Sequence, residues 1–435
     1  MIFSTRHRLG LIGGAIVLFA AATALAAPVS LDSLVAEGLQ NNPELHAAEA
    51  RWQQAERKAI PVDTLPDPVL SFAFMNYPVG SLDGDETPMT GKDLRLAQKF
   101  PYPGKLGEKR KQAEHQAAWL AGVYADGKLQ LEEKIRTTWY QIWFQERAIE
   151  LVGKNLRLLD DFIQLTESRY AVGKGLQQDV LKAQVERSKL MDRDISLRQQ
   201  KESSEAMLAR LLGRNETGTI DVPRDIELTP VDISPRQLRQ AAKEQRPLVA
   251  AFQALIEKAK SERDLAKLDY RPDFTLWAGY RFREDVMGDP VDGEDFVSAG
   301  ISLNLPLWQE KRHEQVAGAE SAIREANARL ESFRVRVGSE IDSLLYQVRK
   351  NRDLADLFNG GIIPQADQTF QAGLTAYQVD KIEFLSLLDA LMKLYRYQID
   401  YHRAVADHQI TLAKLAAVSG LSWDDLSNGN LSAEK

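Results

Sequence analysis

Four short stretches of the chain alternate between apolar and small or polar side chains at every second residue, which is the period of a β-strand. We predict strands over residues 67–77, 93–100, 273–282 and 296–305. The first stretch places Phe72 and Phe74 on one face and Ser71 on the other. Trp277 breaks the pattern of the third stretch, because it falls on the polar face. Each stretch therefore predicts a strand of about ten residues with one apolar and one polar side.

Two very long stretches follow these strands and carry the three-to-four-residue spacing of an amphipathic helix. The first has no proline between Pro103 and Pro223 and predicts one helix from about 105 to 172, roughly 100 Å long. The second is predicted from about 309 to 372, where Pro364 should kink or split it. Return helices are predicted over 177–212 and 384–418. Helices of this length need neighbours, so they indicate a tube, a bundle or a coiled-coil hairpin.

The chain contains this plan twice. Residues 41–72 align with 244–277, and Tyr170-Ala-Val-Gly-Lys aligns with Tyr377-Gln-Val-Asp-Lys, at offsets near 204 to 207. A repeat of this length indicates a duplicated domain rather than a solenoid. We divide the chain into a signal peptide, a first repeat, a linker, a second repeat and a C-terminal tail, at 1–26, 27–214, 215–234, 235–420 and 421–435.

The first 26 residues have the features of an export signal. Arg6 and Arg8 precede a run rich in Leu, Ile, Gly and Ala, and Ala24-Leu25-Ala26 fits a small-x-small cleavage site. A transmembrane anchor is the weaker alternative. Cleavage would change the net charge from −7 to −9, and an acidic exported chain does not suit nucleic acid as a partner.

The composition removes several classes of chemistry. The chain has no cysteine, which excludes disulfides, Cys-based zinc sites and lipid attachment to an N-terminal cysteine. We find no phosphate-binding loop, no Ser-His-Asp spacing and no metal-ligand cluster in the sequence, so we expect neither an enzyme nor a bound cofactor. No stretch after the signal segment is long and apolar enough to be a membrane helix.

The strands allow two interpretations. Alternation over about ten residues is typical of a membrane β-barrel, but a half-buried sheet in a soluble protein gives the same pattern. The connections favour the barrel, because the segments between the paired strands are long, polar and acidic. Lipid tolerates no open sheet edge, and four strands cannot close a barrel. Several copies would therefore have to pool their strands and continue them as a helical tube.

The residues resemble the TolC family of outer-membrane efflux channels, over most of 30–420. The resemblance depends on the duplicated plan, on QKFPYPGKL at 98–106 and LNLPLWQEKR at 303–312, and on the segments that follow Tyr170 and Tyr377. It is greatest to the heavy-metal branch, the CzcC- and CusC-like channels. It implies a mixed, mainly α fold: a homotrimer whose helices form an α-helical barrel, continued by a 12-stranded β-barrel in outer-membrane lipid.

The same resemblance implies partners and a role. A passive exit duct of this type docks to a periplasmic adaptor and to an inner-membrane transporter of the resistance-nodulation-division type. Heavy-metal cations are the expected cargo, with drugs or other organic solutes as the alternative. A soluble periplasmic coiled-coil adaptor is a less favoured alternative.

The turns between long and return helices are candidate contacts with the adaptor. In the family, a Val-Gly-Leu-like turn meets that partner. Val172 and Gly173 match it in the first repeat, and Gly373 and Leu374 match it in the second. The alternative is that both glycines only end helices.

Three carboxylates near these turns are candidates for a pore constriction: Asp179, Asp380 and Glu383. In a trimer, each inward carboxylate would occur three times around a narrow bore, which attracts cations and repels anions. The alternative is a solvated helix start, where acidic residues favour the positive end of the helix dipole.

Overall fold

The computed structural model describes residues 30–230 and 233–427. The signal segment predicted at 1–26 and the end of the predicted tail, 428–435, lie outside the described residues.

Each repeat begins with short helices, continues through two strands, and ends with a long helix and a return helix. The first repeat consists of α1 Leu31–Asn41, α2 Pro43–Arg57, α3 Ala59–Asp63, β1 Val69–Met75, β2 Gly91–Phe100, α4 Lys105–Ala171 and α5 Gln177–Leu211. The second consists of α6 Pro235–Gln245, α7 Pro247–Leu268, β3 Phe274–Phe282, β4 Phe296–Leu303, α8 Gln309–Leu357, a π-helical turn Phe358–Ile362, α9 Ile363–Gln378 and α10 Phe384–Ser419. A last short helix, α11, covers Trp423–Ser427. The order of elements is the one predicted.

Side-chain caps set the starts of the short helices. Asn42 has an extended backbone that separates α1 from α2, and its side chain accepts the Leu45 N–H at 2.9 Å. Ser234 and Gln237 form a reciprocal capping box at the start of α6. Arg246 is extended like Asn42 and separates α6 from α7. The two repeats thus break their first helix at equivalent places.

The long helices match the prediction in the first repeat and extend it in the second. Helix α4 has 67 residues and spans roughly 100 Å. The second long helix is interrupted by the π-helical turn just before Pro364, so the predicted split is confirmed. It then continues to Gln378, beyond the predicted end near 372.

The predicted position of the second turn is therefore wrong. Gly373 and Leu374 lie inside α9, where Leu374 packs against the core. A glycine inside a helical pattern is tolerated, and a Cβ at Gly373 would make only ordinary contacts with Ile382 and Leu387. The turn instead falls at Val379 to Glu383, where Asp380 adopts the left-handed conformation that usually selects glycine.

A glycine closes each repeat against the break in its first helix. Gly213 follows α5 with φ 74° and lies against the Asn41 carbonyl group. Gly420 follows α10 with φ 76°, and a Cβ there would lie 2.7 Å from the Cα of Arg246. Both positions need a left-handed backbone and have no space for a side chain.

The strands form one antiparallel sheet in the order β1-β2-β3-β4. The central pair joins the two repeats, with Leu96 opposite Ala278. Within the described chain, the outer edges of β1 and β4 have no partner strand. The apolar side chains of one face are exposed, for example Phe74 at 63% and Val297 at 78%. The sheet is therefore incomplete at both edges and apolar on the outside.

The interior consists of two hydrophobic clusters between helices. One lies around Trp143, Leu159 and Phe384, where α4, α5 and α10 meet. The other lies around Leu238 and Ile341, where α6, α7 and α8 meet α10. A single chain therefore packs its hairpins side by side, with its charged faces outward.

The segment that joins the repeats follows the helices closely. Trp143 donates its indole N–H to the Pro223 carbonyl at 3.0 Å, and Gln409 donates to the Glu227 carbonyl at 2.6 Å. A ring nitrogen of His408 lies 3.0 Å from the Thr229 carbonyl oxygen. The backbone of residues 215–230 is thus held against α4 and α10 by buried side chains.

A second histidine on α10, His402, is half-buried, with its Nδ1 shielded from solvent. Its ring lies edge-on to Trp143, and no described group accepts or donates a hydrogen bond at its Nδ1. Burial lowers the pKa of His402 to about 4, and the nearby positive charges of Arg147 and Lys154 act in the same direction, against the weaker opposing effect of Asp225.

Acidification should therefore weaken the helical region through His402. The unfolded chain protonates this imidazole below about pH 6.5 and the folded chain only near pH 4, so stability falls as the pH falls through this window. The loss is at most about 3 kcal/mol per chain. We expect His402→Phe to reduce the fall in thermal midpoint between pH 6.5 and 4, measured by tryptophan fluorescence. Carboxyl groups titrate in the wild type and in the variant alike, so the difference between the two pH profiles reports His402. Identical pH profiles would contradict the effect assigned to this histidine.

Candidate functional site

The ends of the two hairpins farthest from the sheet share one backbone design. In the first turn the Lys174 N–H reaches back to the Arg169 carbonyl at 2.9 Å, and in the second the Lys381 N–H reaches the Ala376 carbonyl at 2.9 Å. The left-handed residue is Gly173 in one and Asp380 in the other. This is the Schellman closure of a helix C-terminus.

The equivalent exposed residues are Val172 and Val379, with 69% and 58% of their surface exposed. Sequence reasoning placed Val172 and Gly173 correctly in the first turn and missed Val379 in the second. The signal was present, because the repeat alignment pairs Tyr170-Ala-Val-Gly-Lys with Tyr377-Gln-Val-Asp-Lys.

One arginine joins the two turns. The Arg169 guanidinium forms an ion pair with the Asp380 carboxylate and donates to the carbonyl oxygens of Tyr377 and Gln378 at 3.0 and 3.3 Å. It also lies over the Tyr377 ring, 4.4 Å from the centroid. We call Arg169, Tyr377, Gln378 and Asp380 the tip cluster. It fastens the first hairpin to the second within one chain.

The three predicted constriction carboxylates differ in their surroundings. Asp380 is compensated by Arg169, so it adds little net charge. Asp179 is half-buried in the first turn of α5, and Glu383 is exposed at the start of α10. Among the described residues, neither has an ion-pair partner. Of the three, Asp179 and Glu383 therefore keep a net negative charge near the turns.

Tyr377 shows that Asp179 lies close to the tip cluster. Burial raises the pKa of the Tyr377 phenol, the Arg169 charge opposes this, and the negative charges of Asp179 and Asp380 add to the increase. The carboxylate of Asp179 on α5 is thus close enough to act on a side chain of the second hairpin.

A buried ion cluster fixes the opposite end, where the strands become helices. Lys105 begins α4 and places its Nζ 3.1 Å from Asp269 and 2.9 Å from Asp273. Asp273 also accepts the Tyr102 N–H at 2.9 Å. Burial opposes its ionisation, but these hydrogen bonds outweigh burial and lower the pKa of the Asp273 carboxyl. The cluster ties the start of α4 to the start of β3, so the first long helix has a fixed direction relative to the sheet.

Within residues 30–230 and 233–427, no group of three or more His, Asp or Glu side chains is arranged to hold a metal ion. In the same part of the chain, no helix combines the length and apolar character needed to cross a bilayer.

The sheet has an exposed apolar face and two open edges, and it continues into helical hairpins of about 100 Å. These features define a subunit that places its strands in lipid and extends its helices away from the lipid. The sequence profile of the family described as "Outer membrane efflux protein" matches residues 34–214 and 238–421, and the chain belongs to this family. The protein is therefore an outer-membrane channel that extends into the periplasm, a passive duct rather than an enzyme.

Individual relatives agree with this assignment. The chain is 23% identical over 392 residues to the cobalt-zinc-cadmium resistance protein CzcC of Cupriavidus metallidurans, covering 86% of each chain. It is similar in fold to a CusC structure, with a TM-score of 0.76, 14% identity and coverage of 91% of this chain and 93% of that one. The outer membrane protein VceC of Vibrio cholerae gives a TM-score of 0.75 at 20% identity, over 90% and 96% of the two chains. The resemblance to the TolC family is confirmed, and the similarity to CzcC agrees with a resemblance to the heavy-metal branch.

Proposed function

We propose that three copies of this chain form the outer-membrane exit duct of a tripartite efflux system that removes heavy-metal cations. The open sheet is the observation that supports the proposal of a trimer. Each chain supplies four strands with unpaired outer edges, and lipid requires those edges to be closed. Twelve strands from three chains make a barrel wide enough for a lumen, which four strands cannot make.

The cargo is proposed from a relative, and the partners are proposed from the passive nature of the duct. Heavy-metal cations are favoured by the similarity, over 86% of each chain, to a relative named for cobalt, zinc and cadmium resistance. A passive duct needs an energised inner-membrane transporter, for which the resistance-nodulation-division type is proposed. A periplasmic adaptor would bridge the two.

We place the adaptor contact at the two exposed turns, on Val172 and Gly173 in one and on Val379 and Asp380 in the other. Two exposed valines at equivalent positions give a repeated apolar contact at the far end of each hairpin. Asp179 and Glu383 are the proposed constriction carboxylates, since they have no ion-pair partner among the described residues. The ring they would form attracts cations.

Deleting the chain from its host should reduce tolerance to zinc, cadmium or cobalt, while tolerance to a panel of organic drugs stays unchanged. The reason is that the proposed cargo has no other exit through this system. Growth is measured over concentration series of zinc, cadmium, cobalt, copper and silver salts and of the drugs. The intact chain supplied in trans should restore the lost tolerance.

A matched variant separates folding from docking. Val172→Asp with Val379→Asp changes two solvent-exposed side chains, so heat-resistant trimers should still form in detergent while metal tolerance is not restored. Sensitivity to drugs alone would show an organic cargo. Unchanged growth under every condition would contradict the efflux role assigned here.

A further inference from the structure

On the polar face of the sheet, one charged side chain has no ion-pair partner among the described residues. The charged side chains of the four strands are Asp93, Arg95, Lys99 and Arg281 on this face and Lys92 on the apolar face, where it lies opposite Phe74. Lys92 pairs with Glu284 at 3.2 Å, Lys99 pairs with Asp273 at 3.4 Å, and Arg281 forms a two-pronged pair with Asp93 at 2.6 and 2.9 Å. Among the described residues, Arg95 has no ion-pair partner.

Arg95 is nevertheless held in a defined place. Its guanidinium lies over the indole of Trp277, 4.0 Å from the ring centroid. An arginine stacked in this way uses its face for the aromatic ring and keeps its in-plane N–H groups free for an acceptor. The Arg95 side chain donates to no acceptor among the described residues.

The neighbouring strands leave space for the stacked pair. Trp277 is opposite Gly300 on β4, where a Cβ would lie 2.6 Å from the indole Cζ2. Arg95 on β2 also has small residues opposite it, Gly279 on β3 and Ser71 on β1. Trp277 is the residue that broke the alternation of its strand, and its place on the polar face is explained by this contact. The site is a platform of small residues with one indole and one guanidinium.

We propose that Arg95, held by Trp277, determines ion selectivity in the barrel section of the duct, as a ring of three guanidinium groups that binds small inorganic anions. This inference rests on the proposed trimer, in which the polar face lines the lumen. A guanidinium keeps its positive charge throughout physiological pH, and its free fork suits oxyanions and halides. The barrel section then favours anions, whereas the carboxylates at the far end of the hairpins favour cations.

The experiment uses the absence of cysteine, which allows a single thiol to be introduced without background. Ser71→Cys places a thiol directly opposite Arg95 in the strand register. Its reaction rate is measured on trimers in intact cells with an anionic sulfonate-bearing and a cationic trimethylammonium-bearing methanethiosulfonate reagent. The ratio of the anionic to the cationic rate reports the local potential, which a purely structural role would not change.

We expect Arg95→Gln to lower this ratio roughly tenfold, as estimated for a unit charge about 6 Å from the thiol in water. Arg95→Lys keeps the charge and should keep the ratio within about twofold. Trp277→Ala should lower the ratio by about threefold, because the guanidinium loses its fixed place. An unchanged ratio in Arg95→Gln, or in Trp277→Ala, would overturn the role assigned to that residue.

A second thiol distinguishes this inference from the proposed function. Met287 is fully exposed in the loop between β3 and β4, so Met287→Cys should react in intact cells with a ratio that Arg95→Gln does not change. A protected Met287 thiol would overturn the outer-membrane placement and, with it, this inference. Reactive thiols at both positions with a ratio independent of Arg95 would leave the channel intact and overturn the inference alone. A reactive Met287 thiol with an unreactive Ser71 thiol would show that this face does not line the lumen.

Discussion

Arg169→Ala should raise the single-channel conductance of the proposed trimer several-fold in planar lipid bilayers. Arg169 fastens the first hairpin to the second through an ion pair, two hydrogen bonds from a charged donor and a contact with the Tyr377 ring. Hydrogen bonds from charged groups are about twice as strong as neutral ones, so their loss should shift the population toward separated hairpin ends. A wider bore at the tip then passes more current.

Two further variants separate bore width from charge. Asp380→Ala leaves Arg169 bonded to the carbonyls of Tyr377 and Gln378, so a smaller increase in conductance is expected. Asp179→Asn with Glu383→Gln should leave conductance near wild type and weaken the preference for cations, measured as a shift in reversal potential across a salt gradient.

A matched control comes from a surface arginine away from the tip. Arg210 pairs with Glu44 at 3.0 Å and is exposed, so Arg210→Ala should leave the conductance unchanged. If Arg169→Ala gives the same traces as wild type, the tip cluster does not hold the duct closed. If both arginine variants raise conductance equally, the effect is not specific to the tip.

Gly420→Ala and Gly213→Ala should each destabilise the trimer strongly, by more than about 2 kcal/mol per chain. A left-handed backbone costs a residue with a Cβ about 1–2 kcal/mol, and the added methyl group would overlap backbone atoms of Arg246 or Asn41, which cannot move aside like a flexible side chain. The measurement is the temperature at which heat-resistant trimers disappear on a gel, supported by circular dichroism.

Gly153→Ala is the matched control for these substitutions. Gly153 lies inside α4, and a Cβ at this position would have no neighbouring atom within 4 Å. Alanine should therefore be neutral there, or stabilising by up to about 1 kcal/mol through its higher helix propensity. Equal midpoints for all three alanine variants would show that the two closing glycines are not required by the fold.

Local patterns predicted the elements of this fold because their periods are properties of short segments. Alternation at every second residue located all four strands, with ends within a few residues of those observed. The apolar stripe located α4 and α5, and Pro364 correctly predicted the interruption of the second long helix. The duplicated plan was visible because equivalent residues recur at a nearly constant offset.

The prediction misplaced the second turn because it relied on a glycine as the sign of the helix end, although the alignment of Tyr170-Ala-Val-Gly-Lys with Tyr377-Gln-Val-Asp-Lys marks the turn at Val379. Gly373 has the residue type of a helix end, yet the helix continues through it. The helix ends where Asp380 takes the left-handed conformation, a position stabilised by Arg169, 211 residues earlier in the chain. A contact of that kind has no sequence period, so no window of neighbouring residues reports it.

The charges of the candidate site were likewise decided by the tertiary structure. The sequence identified Asp179, Asp380 and Glu383 as acidic residues near turns, but only the packed hairpins show that Arg169 compensates one of them. The same holds for Trp277, whose exception to the strand pattern is explained by the neighbouring strand that brings Arg95 to its ring.

The sequence by itself determined the strands, the long hairpins, the duplication and the family, since each is recorded in the order and spacing of residue types. The tertiary structure alone decided which turn residues are exposed, which charges are paired and which remain free. Those outcomes depend on distances between side chains far apart in the chain, and such distances exist only after the helices and strands have packed.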